Sequence, residues 1–571
     1  MNTTPTSRLA AELDVVIVGA GFAGIYALHA ARQRGLTARV LEAGGGVGGT
    51  WYWNRYPGAR CDVQSLFYSF GFDPELEQEW EWSERYATQP EIERYANFVV
   101  DRLGLRDGIS FDSRVASAVF DEKNSRWTVT TEHGQVLTAQ FLIMATGTYS
   151  VPLDPRIPGA DTFEGESLLT GRWPHDPVDY AGKRVGLIGT GATGLQVVTA
   201  LADEPFEHLH VFQRTASLTI PSGPMGFEPE YVQDFKTGYQ EYRERAKRSG
   251  IGAIWENPSV AIDDLSDEEF EREMRAQMAK GSGHVFTRFT DLATSLSANE
   301  RFINYLNDRV RERVEDPAVA ELLVSRDKVY GVRRVLHESG YFEIYNRPDV
   351  TLHDAKTKPI LEITPRGIRT EDGEVELDVI IYAIGFDTGH GALRRIDVRG
   401  VEGLTIQDAL ADGPHTYLGL MIDGFPNMFV MAGPGSPSIR SQMITSIEQH
   451  VEYVDELIGH MRERGLVAVH TTPLAVQQWT AHVNDVVENS LVALDRTTQY
   501  FGANVPGKPS AYLAYMGGVG PYRTICEQVR DAGYEGFVFT SADGGRHTVS
   551  EGWTGAPESF VARSPFGARV I

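Results

Sequence analysis

The chain has 571 residues, 42 % of them hydrophobic, with 58 glycines and a formal net charge of −25 from 53 basic and 78 acidic side chains. That length predicts two or three domains, and acidity spread along the chain argues against nucleic acid or an anionic membrane as partner. Two cysteines, Cys61 and Cys526, without CxxC or metal-ligand spacing, exclude a disulfide framework, suggest no metal site and predict a cytoplasmic protein.

At the N-terminus MNTTPTSRLAAEL lacks the apolar stretch of a signal peptide. The longest apolar run, Val15 to Ala31, is interrupted by three glycines and His29, so it reads as a turn motif and not as a membrane span. DVVIVGAGFAGIYALHAARQRG is a four-residue apolar strand, a glycine turn and a helix. Gly19, Gly21 and Gly24 form GxGxxG, and Glu42 ends the next strand at the spacing of a dinucleotide fingerprint. The first glycine makes the turn, the second admits the pyrophosphate, and the third lets the helix pack. The helix N-terminus then faces the phosphates, and Glu42 can accept both ribose hydroxyls.

FLIMATGTYS (141–150) reads as a buried strand ending in Ala-Thr-Gly. FEGESLLTGRWPHD (163–176) fits neither a helix nor a strand period and reads as a hinge. KRVGLIGTGATGLQVVTAL then repeats the glycine pattern at Gly189, Gly191 and Gly194, with Thr190, Thr193 and Gln196 in the turn and its helix. Here the second strand ends in Gln213-Arg214-Thr215. An acid there would repel a 2′-phosphate, whereas Arg214 can pair with one. Glutamate in the first unit and arginine in the second predict FAD followed by NADPH.

From about residue 226 to 330 the βαβ rhythm stops. Ser266-x-x-Glu269 and Ser297-x-x-Glu300 read as capping boxes, the second opening a helix with Phe302, Ile303, Leu306, Val310 and Val314 on one face. VIIYAIGFD (379–387) is the counterpart of FLIMATGTYS, and NMFVMAGPGSPS (427–438) reads as a late strand and turn reaching the flavin. The last ~70 residues are read as irregular, a lid plus a tail. The expected fold is therefore α/β, with two Rossmann-like dinucleotide-binding domains (FAD and NADPH) and a helical insertion. The first part of the FAD domain spans 1–150 and of the NADPH domain 151–225. The insertion covers 226–332, and the second parts are 333–386 (NADPH) and 387–571 (FAD), with a mobile loop near 490–515.

GGTWYWNRYPGARCD (48–62) places Gly48, Gly49, Trp51, Tyr56, Pro57, Gly58 and Asp62 in one aromatic-rich stretch. With FEGESLLTGRWP, RRVLHESGYFEIYNRPDV (333–350) and FGANVPGKP (501–509) it resembles the type I Baeyer–Villiger monooxygenases, the cyclohexanone and phenylacetone monooxygenase kind. The resemblance implies that NADPH reduces FAD, that O2 forms a C4a-peroxyflavin, and that this attacks a ketone to give an ester or lactone through a tetrahedral adduct. By the same resemblance Arg334 is the active-site arginine, Asp62 the carboxylate that orients it, and Arg333 a cation near the NADPH 2′-phosphate. Arginine suits the first role because it keeps its proton and has a rigid donor fork. Gly49, Thr50, Trp51, Asp62 and Asp387 fall on the flavin side, and Met443 and Arg440 on a substrate-lining segment. A cation at Arg440 would favour an acidic or oxygenated ketone; otherwise it is a surface residue.

Three positions depart from the family pattern: Leu169 where it has histidine, Gln499 where it commonly has tryptophan, and Ile384 where it has threonine. They bear on coupling, closure of the NADPH site and substrate range. The alternatives are an N- or S-oxygenating flavin monooxygenase and an uncoupled NADPH oxidase-like homologue; a disulfide reductase lacks its redox cysteine pair here.

Overall fold

The computed structural model describes residues 11–255, 258–327 and 329–555. Its first sheet is eight-stranded and centred on Ala11–Val18, which pairs in parallel with Ala38–Leu41 on one side and Val136–Met144 on the other. The first strand is thus longer than its apolar Val15–Val18 segment suggests. Met428–Val430, far along the chain, returns to pair with Val136–Met144. The helices Phe22–Gln33 and Met443–Glu463 pack on one face of this sheet and bury Ile25, Leu28, Ile447, Val451 and Val454 in one core.

A second, five-stranded sheet is wholly parallel, in the order Val350–Asp354, His208–Gln213, Arg184–Ile188, Val379–Tyr382, Glu166–Leu169. The last of these overturns the hinge reading of FEGESLLTGRWPHD. Its Glu166–Leu169 segment is an edge strand, with Leu169 opposite Tyr382. An edge strand of four residues is too short to display a period of its own.

Along the chain, between the strands His208–Gln213 and Val350–Asp354, comes a run of helices that includes Pro229–Thr237, Tyr239–Arg248, Asp267–Lys280 and Leu296–Arg313. The Ser266–Glu269 capping box forms as expected. The second does not. Ser295 caps the following helix through Ala298 N–H, while the Ser297 hydroxyl donates to Asp263 Oδ1 at 2.8 Å. Phe302, Ile303, Leu306, Val310 and Val314 are buried as the period requires. The C-terminal region is more regular than its glycines suggest. Helix Val519–Asp531 and strand Phe537–Ser541, paired antiparallel with Leu466–Thr471, close it onto the first sheet's helices. Residues 556–571, the expected tail, lie outside the described residues.

Candidate active site

Both glycine turns are built alike. Gly19 has φ +105° and Gly189 φ +103°, a left-handed conformation that L side chains rarely adopt. A Cβ on Gly24 would overlap the Gly19 carbonyl oxygen, and one on Gly194 that of Gly189. Gly24 and Gly194 therefore serve helix packing and do not line the cavity, whereas Gly19, Gly21, Gly189 and Gly191 do. No side chain caps the first turn of either helix, which leaves the backbone N–H groups at the helix start to receive an anion. Glu42 is buried at the end of its strand, its carboxylate accepting from Ala20 N–H at 2.6 Å and Gly44 N–H at 2.7 Å. Burial raises its pKa against those hydrogen bonds. Two glycine turns, each with a helix N-terminus and each on the same cavity wall, fit two dinucleotides.

That cavity, about 1630 Å³, runs from the first glycine turn to the second, beyond the few hundred to ~1,000 Å³ of a pocket for one small ligand. Gly49, Thr50, Trp51, Asp62, Thr190, Thr193, Gln196, Arg214, Thr215, Arg333, Arg334, Arg440 and Met443 all line it. Trp51 is buried and its indole N–H donates to the Tyr68 hydroxyl at 2.9 Å. The Thr190 hydroxyl donates to Gln213 Oε1 at 3.1 Å. Arg214 and Thr215 are exposed just past their strand, and among the described residues no carboxylate pairs with Arg214.

At the centre, Arg334 Nη2 lies 2.6 Å from Asp62 Oδ2. Asp62 raises the pKa of Arg334 against the effect of burial, so the guanidinium stays charged. Protein surrounds it, yet 46 % of its side chain remains accessible, because it faces the cavity. Asp62 caps no helix. His337, beside this pair, has its pKa lowered chiefly by burial and points a ring nitrogen at the Ser282 hydroxyl at 3.5 Å.

Several expected residues have other partners. Arg333 pairs with Asp327, and also with Asp495 at 3.5 Å. Asp387 does not line the cavity; it accepts from Lys508 Nζ at 2.7 Å, and Asn504 donates to the Phe386 carbonyl at 2.7 Å. The 490–515 segment is thus docked on the crossover after Tyr382. Gln196 spends its side-chain amide on the 48–62 stretch, accepting from the Tyr56 hydroxyl at 2.9 Å and donating to the Arg60 carbonyl at 3.1 Å. Arg440 is not a surface residue. It is half-buried, donates from Nη1 to the Gly331 carbonyl at 3.0 Å, and lies over the Tyr500 ring at 5.1 Å.

Sequence reasoning missed Tyr149, Tyr330 and Tyr500, which line the same cavity as the two arginines. Only Tyr149 carried a signal, at the end of the FLIMATGTYS crossover strand. Among the described residues no cluster of His, Cys, Asp and Glu could hold a metal ion, and no helix is long and apolar enough to cross a membrane.

Residues 16–299 match the family described as pyridine nucleotide-disulphide oxidoreductase, a likeness of dinucleotide folds, since both cysteines here are buried and free. The chain is 40 % identical over 542 residues to a Baeyer–Villiger monooxygenase of Pseudooceanicola batsensis, covering 94 % of this chain and 98 % of that one. It is 39 % identical over 534 residues to a phenazine N-monooxygenase of Lysobacter antibioticus, covering 93 % and 97 %. Oxidized steroid monooxygenase bound to NADP superposes with a TM-score of 0.88 at 43 % identity, covering 93 % of this chain and all of that one. Two dinucleotide turns on one cavity, the Arg334–Asp62 pair and full-length identity near 40 % place the chain in the Baeyer–Villiger monooxygenase family, flavoenzymes that use FAD and NADPH.

Proposed function

We propose that this enzyme inserts one oxygen atom of O2 beside the carbonyl of a small-molecule ketone, giving an ester or lactone, with NADPH and a proton consumed and NADP+ and water released. The observation that carries the reading is the Arg334–Asp62 pair on the cavity wall. FAD, reduced by NADPH, supplies the activated oxygen. Arg334 holds a permanent charge where negative charge develops on the ketone oxygen, and does so in a site that needs no reorganisation. Asp62 fixes the direction of its donor fork and balances its charge before substrate arrives.

The remaining site residues have binding roles in this reading. Gly19, Gly21, Glu42, Gly49, Thr50 and Trp51 hold FAD, with Gly24 supporting the turn. Gly189, Thr190, Gly191, Thr193, Arg214 and Thr215 hold NADPH, with Gly194 packed behind the turn and Gln196 beside it on the cavity wall, tied to Tyr56 and Arg60. Arg214 is the better placed cation for the 2′-phosphate, because Arg333 is already engaged by two carboxylates. Asp387 acts at a distance, through Lys508. A cytoplasmic location belongs to the same reading and is supported by two buried free thiols.

The N-oxygenating relative supports a second reading, oxygen transfer to nitrogen or sulfur. A panel of cyclic, linear, aryl and steroid ketones, run beside a thioether and an N-heteroarene, separates the two. Ester formed in step with NADPH consumption is expected. Heteroatom oxides without ester would favour the second reading, and hydrogen peroxide matching NADPH would overturn both.

A further inference from the structure

The cavity holds a second arginine whose surroundings differ from those of Arg334. Arg440 ends a short turn, Ser438–Arg440, just before the 21-residue helix Met443–Glu463, whose first-turn residues also line the cavity. Its donor fork has five N–H groups. The Gly331 carbonyl takes one and the Tyr500 ring covers a face. Among the described residues no carboxylate pairs with it. Arg334, by contrast, is matched by Asp62. Arg334 and Arg440 line the same cavity, together with Tyr149 and Tyr500. Withdrawing a cation from water without a counter-ion is costly, and the start of a long helix adds positive potential to it. In a chain of net charge −25, this corner has the opposite sign.

Resting on the Baeyer–Villiger reading, we propose that Arg440 selects ketones that carry a carboxylate, pairing with that carboxylate while the carbonyl faces Arg334. The guanidinium fork matches a carboxylate with two parallel hydrogen bonds. A neutral ketone of the same shape leaves Arg440 without its counter-ion and is the poorer substrate.

The test compares cyclic oxo acids of graded side-arm length with their carboxamides. The readout is the ratio of kcat/KM for acid to amide, whatever happens to absolute activity. The FAD-loaded wild-type enzyme is expected to favour the acid. Arg440→Met, which keeps the apolar stem, is expected to lower that ratio roughly tenfold to a hundredfold, and Arg440→Lys to restore part of it. Raised ionic strength should lower it in the wild type and in Arg440→Lys and leave it unchanged in Arg440→Met. A ratio unchanged within about twofold in Arg440→Met, or equal in wild type and Arg440→Lys and Arg440→Met, would overturn the proposal. If no ketone yields ester, the Baeyer–Villiger reading fails. The selectivity is then decided by calorimetric binding of the same acid and amide to the FAD-loaded wild type and Arg440→Met: a preference for acid lost in the variant supports it, and equal binding overturns it.

Discussion

Gly58 lies against Gln196 so closely that a Cβ on the glycine would overlap the Gln196 carbonyl oxygen. The contact joins the 48–62 stretch, which carries Asp62, to the helix of the second glycine turn. Tyr56 and Arg60 hold the Gln196 side chain from the same stretch. One short segment therefore ties the first glycine turn, the carboxylate partner of Arg334 and the helix of the second glycine turn together.

Gly58 has φ +77°, so Gly58→Ala meets both backbone strain and a backbone clash. We expect a loss of roughly 2–3 kcal/mol, more than the ~1 kcal/mol of the conformational term alone. Thermal unfolding of the FAD-loaded protein checks it, and a midpoint within a degree of wild type would contradict the contact.

Arg334→Lys keeps a charge but loses the donor fork. Ester formation should fall roughly 10²–10³-fold while FAD stays bound and NADPH oxidation continues with release of peroxide. Asp62→Asn should fall less, because Arg334 itself remains. Product and peroxide yields per NADPH measure both.

Arg214→Ala should raise the KM for NADPH roughly tenfold to a hundredfold, the worth of a charge-assisted phosphate contact, and leave that for NADH nearly unchanged. Equal changes for the two nucleotides would remove Arg214 from the 2′-phosphate site.

Glu448, 2 % exposed, accepts from Gly71 N–H and lies in the field of Arg243, Glu452 and Lys247. Burial pushes its pKa up to about 7. A carboxyl whose folded pKa exceeds its unfolded value binds more protons when folded, so its contribution to stability is present at low pH and is lost as pH rises from the unfolded pKa of about 4.5 to about 7. Glu448→Gln should therefore gain stability relative to wild type as pH climbs through that window. Melting curves of both proteins, subtracted at each pH, isolate the effect from other titrating groups.

Leu169 ends the edge strand of the second sheet and packs against a core that includes Ile188, Phe212 and Tyr382. Leu169→His should change the NADPH rate or the peroxide yield and leave FAD content intact. Loss of flavin would mean that this strand also supports the first unit.

Local chemistry was enough to read both nucleotide turns, since a GxGxxG with its strand and helix is specified within about thirty residues. The amphipathic Leu296–Arg313 helix was equally legible, because its apolar face repeats at the helical period. Its cap was not: Ser295 and Ser297 offer the same hydroxyl and both donate to Asp263, yet only the Ser295 oxygen accepts from a helix N–H, that of Ala298. The strand Glu166–Leu169 becomes a strand by pairing with Val379–Tyr382, far along the chain. Non-local closure likewise set Arg334 against Asp62, drew Arg333 to Asp327 and Asp495, and docked Lys508 on Asp387. The sequence by itself determined which chemical groups are present and how each glycine turn folds. Which charges meet, and which cation is left facing the cavity without a counter-ion, was decided by the tertiary structure, because charge pairing depends on distance in space and not along the chain.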